Sequence, residues 1–197
     1  MLEKNSSHQL ILNINFIEEH NATAKCFLKY NTDFMPLIKL ETHINAPIAV
    51  CFDLSRSIDL HKDSFAHTKE EAVSGVVSGL IDAGEHVCWK ANHFGFSLQL
   101  CSLITVVEKP NHFADEMKTG PFHSFRHDHF FTAENGITIM KDTFVYKSPL
   151  GVLGRLADFL FLKKYMTTLL IKRNEHLKSV AESDRWQVLL AAKKRSI

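Results

Sequence analysis

The stretch "SFRHDHFFTAENGITIMKDTF", residues 124–144, decides how the rest of the chain is read. Asn135-Gly136 lies between two segments that alternate apolar and polar residues. An Asn-Gly pair there signals a two-residue hairpin, because both central residues of a type I′ turn need positive φ. Such a turn fixes the register: Glu134 faces Ile137, and counting outward sets His129 against Asp142, His127 against Phe144 and Phe125 against Tyr146. All of these share one face. Arg126, Asp128, Lys141 and Thr143 occupy the other, which is therefore the solvent side. The two histidines and Asp142 point inward with Phe125, Phe131, Met140 and Phe144.

The preceding segment extends the pattern. Phe113, Asp115 and Met117 alternate with Glu116 and Lys118, and a short loop at "KTGPF" brings Asp115 toward Phe125 and His127. An imidazole buried without a partner costs about 1–3 kcal/mol, and an isolated carboxylate costs more. Such groups persist where they satisfy one another or where the interior is wet. Four readings follow. His129 and Asp142 form a cross-strand hydrogen-bonded pair that fixes register, or Asp115, His127, His129 and Asp142 hold the polar end of a ligand in a cavity. Alternatively, the pair performs acid–base chemistry, or His127, His129 and a carboxylate bind a metal. Local spacing supplies no third metal ligand, so no metal, cofactor or catalytic residue is assigned.

Working outward, strand-like segments run from Thr68 to Lys147: "TKEEAVSG", "EHVCWKANH", "FSLQLCSLITVVE" and "HFADEMK" precede the hairpin. Upstream, "PLIKLETHIN" alternates as a strand, and "APIAVCFDLSRSIDLHKDS" carries apolar anchors for two short helices. Downstream of Ser148-Pro149, read as a cap and first-turn pair, apolar residues at Leu153, Leu156, Leu160, Met166, Leu169, Leu170, Leu177 and Val180 predict one long helix to about Val180, whose start Gly151 and Gly154 can loosen. A small extra helix is expected around Trp186 to Leu190.

Length and composition suit one compact domain with appendages: 197 residues, 45% hydrophobic and 23% charged. The divisions expected are an N-terminal extension over 1–34, a main domain over 35–180 and a tail over 181–197. A formal charge of +1 implies no general attraction to nucleic acid or anionic lipid. The early run "LILNINFI" is too short and too polar to span a bilayer, so no stable membrane insertion is expected and the cytoplasm is the default compartment. Cys26, Cys51, Cys88 and Cys101 show no CxxC spacing and are read as reduced thiols. With a turn at Phe94-Gly95, Cys88 and Cys101 face each other across a hairpin. A disulfide there is an alternative to the preferred reading of two small side chains packed side by side.

The order strand, two short helices, six strands and long C-terminal helix resembles the helix-grip fold of the START-like, or SRPBCC, superfamily. The wording of "ETHINAPIAVCFDLSRSIDLH", "VSGLIDAGEHVCWKANHFG", "DEMKTGPFHSFRHDHFF", "GITIMKDTFVYKSPLGVLGRLAD" and "FLKKYMTTLLIKRNEHLK" is similar to uncharacterised bacterial members related to polyketide cyclases and coenzyme-Q-binding START proteins. The resemblance covers roughly Pro36 to Val180. It implies an α+β domain in which a curved antiparallel sheet of about seven strands wraps the long helix.

A cavity between sheet and helix is implied as well, taking a small hydrophobic molecule (lipid, quinone or polyketide-like) for a carrier or sensor. The alternatives are an enzyme of cyclase, dehydratase or hydrolase type using an inward His–carboxylate pair, or a protein-interaction module. In that frame the expected ligand-binding residues are Trp89, Leu98, Leu100, Phe113, Asp115, Met117, Phe125, His127, His129, Met140, Asp142 and Phe144. His61 and His67 are read as surface or capping residues, with polar groups at the cavity entrance as the alternative. The run "FLFL" at 159–162 exceeds what a clamped helix needs and is read as a lid contact, a homodimer or partner patch, or a core plug.

Overall fold

The computed structural model describes residues 35–191 and 194–197; the expectation for residues 1–34 lies outside them. Strand β1 (Leu37–Ile44) leads into helices α1 (Ile48–Ser55) and α2 (Ile58–Ser64), followed by a short 3₁₀ turn (Ala66–Thr68). Six strands then form a meander: β2 (Glu71–Ser78), β3 (His86–His93), β4 (Phe96–Glu108), β5 (His112–Thr119), β6 (Ser124–Glu134) and β7 (Ile137–Lys147). The last helical stretch comprises α3 (Val152–Ala157), a π-helical turn (Asp158–Leu162) and α4 (Lys163–Ala181). Helix α5 (Arg185–Leu190) and a two-residue strand β8 (Arg195–Ser196) complete the chain.

All eight strands join one sheet in the order β1-β7-β6-β5-β4-β3-β2-β8. The one strand beyond the expected number is β8, which pairs antiparallel with β2. Asn135 and Gly136 have φ of 50° and 81°, so the turn takes the positive-φ geometry that its residues predict. The β6–β7 register follows: Glu134 pairs with Ile137, His129 with Asp142 and His127 with Phe144. Across the other edge of β6, Asp115 pairs with His127 and Phe113 with His129.

Phe94 and Gly95 form a second positive-φ turn, and Cys88 pairs with Cys101 as counted. The two sulfurs are bonded, which corrects the reading of this pair as reduced thiols packed side by side. Strand alternation puts them opposite each other at a paired position, the arrangement that brings two cysteines within bonding reach. Cys51 is free and buried.

Helix α4 packs against β1, α1 and α2, burying Leu169, Leu170, Arg173, Asn174, Leu177 and Val180. Three apolar clusters form. One holds Ile44, Phe52, Phe113, Phe131, Met140, Leu177 and Val180. A second joins Ile58, Val87, Trp89 and Ile104, and a third joins Ile38, Phe125, Phe144, Tyr146 and Leu170.

The start of the final helical stretch departs from expectation. Ser148 and Pro149 do not cap it; Gly151 precedes α3, and Ser148 Oγ instead donates to Asp158 Oδ1 at 2.7 Å. Leu153, Leu156 and, within the FLFL run, Phe159, Leu160 and Phe161 are exposed, while Leu162 packs against the cluster of Ile38 and Phe144, so only the last residue of the run joins the core. The π-helical turn is the physical reason. Its wider winding breaks the 3.6-residue phase, so positions before it no longer fall on the face that α4 buries. No helix among the described residues is long and apolar enough to cross a membrane.

Candidate functional site

Between the apolar clusters, the sheet, α2 and α4 line a cavity of ≈340 Å³ that is partly open to solvent. Nine of the twelve residues expected to contact a ligand line it: Trp89, Leu98, Leu100, Phe113, Asp115, Phe125, His127, His129 and Phe144. Three do not. Met140 is fully buried in the core beside Phe52, Met117 packs against the cluster containing Leu170, and Asp142 lies behind the histidines. Helix α4 closes the cavity with Tyr165, Met166, Leu169, Leu170 and Arg173.

The polar groups gather at one end of an otherwise apolar wall. Asp142 is 2% exposed and organises them. A carboxylate can only accept, so His127 carries hydrogen on Nε2 and donates to Asp142 Oδ1 at 3.1 Å. His129 Nδ1 stands 2.6 Å from the same oxygen without hydrogen-bond alignment. Asn174 Nδ2 donates to Asp142 Oδ2 at 2.6 Å, and Arg173 Nη1 lies 3.9 Å from Oδ1. Arg173 is itself held by donating through Nη2 to the Ser55 carbonyl at 2.7 Å. The imidazoles of His127 and His129 lie 3.8 Å apart, and His129 stacks on Phe113 at 4.2 Å.

This packing sets the charges. Burial, and next the nearby His129, push His127 down to about 4, outweighing the hydrogen bond to Asp142, so His127 is neutral at pH 7. Burial raises Asp142, but its hydrogen bond with His127 and the charge of His129 reverse that and hold it well below the usual carboxylate range. Arg173 is lowered by burial, yet a guanidinium keeps its proton in proteins. The result is an anion at Asp142 wrapped by donors, with imidazole edges between it and the cavity.

Sequence reasoning missed Arg173 and Asn174. Their signal was readable: both fall in the stripe Leu169, Leu170, Arg173, Asn174, Leu177 at i, i+3, i+4 spacing, where a core-facing helix should be apolar. His61 is also corrected from a surface or capping role. It lines the cavity, stacks on Trp89 at 4.2 Å and donates through Nε2 to Glu70 Oε1 at 2.8 Å, whereas His67 is exposed.

The chain matches no family model and no curated protein. Solved structures do match. The protein TTHA0849 from Thermus thermophilus is 18% identical, with a TM-score of 0.58 over 74% of this chain and 99% of its own. A major latex-like protein 151 from Panax ginseng is 11% identical, with a TM-score of 0.57 over 76% of this chain and 99% of its own. Ara h 8.0201 is 13% identical, with a TM-score of 0.53 over 74% of this chain and 99% of its own. At these identities the likeness is one of architecture, and with the strand order and the final helix it fixes the fold: the chain has the helix-grip fold.

Proposed function

We propose that the protein binds one small, mostly apolar molecule inside the cavity, with a polar group of that molecule directed at Asp115, His127, His129 and Arg173. The observation carrying this reading is the ≈340 Å³ space, partly open to solvent, with apolar walls and polar groups at one pole. Its volume is near the lower end of the range for ligand pockets, about 300–1,000 Å³. That size favours a compact ring-containing molecule, of quinone or polyketide-like dimensions, over a diacyl lipid. A carrier or sensor role follows from binding alone. An acid–base enzyme of cyclase, dehydratase or hydrolase type is the second reading, supported by the carboxylate of Asp142 behind both cavity-facing imidazoles.

The test is titration of the folded protein with the apolar fluorescent probe 1-anilinonaphthalene-8-sulfonate, with native mass spectrometry for stoichiometry. One probe per chain is expected, and Ala91→Trp, which fills the cavity, should reduce affinity at least tenfold. Ala91→Trp binding the probe as wild type does would sink the reading. Turnover of a bound candidate substrate that is lost in His129→Gln while binding persists would select the enzyme over the carrier.

A further inference from the structure

The donor atoms at the polar pole are arranged in two layers. Asp142 engages Nε2 of His127 and approaches Nδ1 of His129, which leaves Nδ1 of His127 and Nε2 of His129 uncommitted to it. His129 Nε2 lies 3.7 Å from Asp115 Oδ1, beyond hydrogen-bond length. One donor atom from each of Asp115, His127 and His129 falls within 4.8 Å of the other two. Two ligands bound at about 2.0–2.2 Å to a shared ion lie roughly 3.4 Å apart in tetrahedral geometry. The Asp115–His129 spacing is close to that value before any ion draws the groups together.

We propose that Asp115, His127 and His129 bind a divalent transition-metal ion, with Asp142 orienting both imidazoles from behind and the open coordination positions facing the cavity. Two imidazoles and one carboxylate suit zinc, iron(II) or cobalt(II), whereas magnesium and calcium prefer oxygen ligands. A carboxylate hydrogen-bonded to the far nitrogen of a metal-binding histidine fixes its tautomer and raises its basicity. Asp142 holds that role for His127 through the bond to Nε2, and its Oδ1 stands 2.6 Å from His129 Nδ1.

Charge balance agrees. Asp115 and Asp142 bring two negative charges, and the nearest cation, Arg173, brings one positive charge but directs its Nη2 to the Ser55 carbonyl. A metal ion takes imidazole in its neutral form and displaces any proton from either ring as it binds, so the pole it then meets is one charge negative and accepts a dication. Position agrees as well, because the ligands sit on adjacent strands at the paired positions Asp115–His127 and Phe113–His129, where the ladder holds them. Sequence spacing alone left the third ligand open. The structure supplies it from β5.

This inference shares the cavity with the ligand-binding reading but requires no apolar occupant. If both hold, the occupant presents an oxygen donor to the ion. The test uses the full chain, stripped with chelator and dialysed, then titrated with Zn²⁺ by calorimetry and with Co²⁺ by visible absorption. One equivalent is expected, with Co²⁺ ligand-field bands, and Asp115→Asn and His129→Gln should each weaken binding at least tenfold. Asp115 is the most exposed of the three, so Asp115→Asn disturbs the packing least and keeps the test valid if His129→Gln misfolds. Absence of a one-to-one site, or wild-type affinity in Asp115→Asn, overturns the proposal. Probe binding without metal binding leaves the ligand-binding reading standing and removes this one; metal binding without probe binding does the reverse.

Discussion

Asp142 shows how much one residue carries. It is nearly inaccessible and meets His127, Asn174 and Arg173 at once, so removing its charge strands a buried guanidinium and at least one donor. Breaking a buried charged pair from one side costs about 3–5 kcal/mol. Asp142→Leu is therefore expected to lose that much unfolding free energy in urea, far more than a surface substitution. The same cluster predicts an acid limb. His127 has a folded-state value of about 4, below its unfolded value of 6.5, so between these pH values the unfolded chain binds a proton that the native chain does not. Stability is then fully present above pH 6.5 and falls as pH drops toward 4, by up to about 1.4 kcal/mol per pH unit. Asp142, lowered below 3.8, adds a loss of the same sign only at and below that value. Urea unfolding at pH 7, 6 and 5 with chelator present should show this slope in wild type and a shallower one in His127→Gln; equal slopes would contradict it. At this scale the inward histidines, Asp115 and Asp142 were legible because a strand's period of two leaves no choice of face once a turn is fixed. The layering was not, since alternation tells which way a side chain points but not which group stands in front.

Among the elements, the hairpins were the most legible, because Asn135-Gly136 and Phe94-Gly95 encode their turns locally. The final helical stretch was legible as an element over Val152–Ala181, but its inward face only from Met166 onward. Before that, the chain commits to a contact no periodicity rule reports: Asp158, buried in the π-helical turn, accepts hydrogen bonds from Tyr146 at 2.9 Å and Ser148 at 2.7 Å. Burial and the neighbouring Asp158 carboxylate raise the Tyr146 hydroxyl above its ordinary range, so it remains a donor at all working pH values. This anchor ties the end of β7 to the turn. A hydrogen bond to a charged group contributes about 1.5–3 kcal/mol. Tyr146→Phe is expected to lose that much in urea unfolding, and hydrogen exchange across residues 152–162 should quicken more than across α4. Uniform exchange along both segments would show that Tyr146 does not hold the turn.

For the whole molecule, the order of strands and helices was visible in the sequence, but the closing of the sheet by its far end was not. Nothing in "AAKKRSI" reads as a strand, and two residues carry too little pattern to be recognised. The structure nevertheless places Ser196 against Val76 and Arg195 against Ser78, while Ile197 and Gly75 exchange both backbone hydrogen bonds at 2.9 and 2.8 Å. Lys194 adds an ion pair to Glu85, and Gly75 takes a φ of 76° where a Cβ would strike the His86 carbonyl. These few residues act as a stopper on an otherwise open rail of amide and carbonyl groups. Removing residues 194–197 would uncover that rail in a folded molecule and offer another copy a strand to continue. Concentration-dependent association in sedimentation, with little change in the unfolding midpoint, is the expected signature. On that expectation, a handful of atoms far from the cavity keeps one copy from pairing with the next.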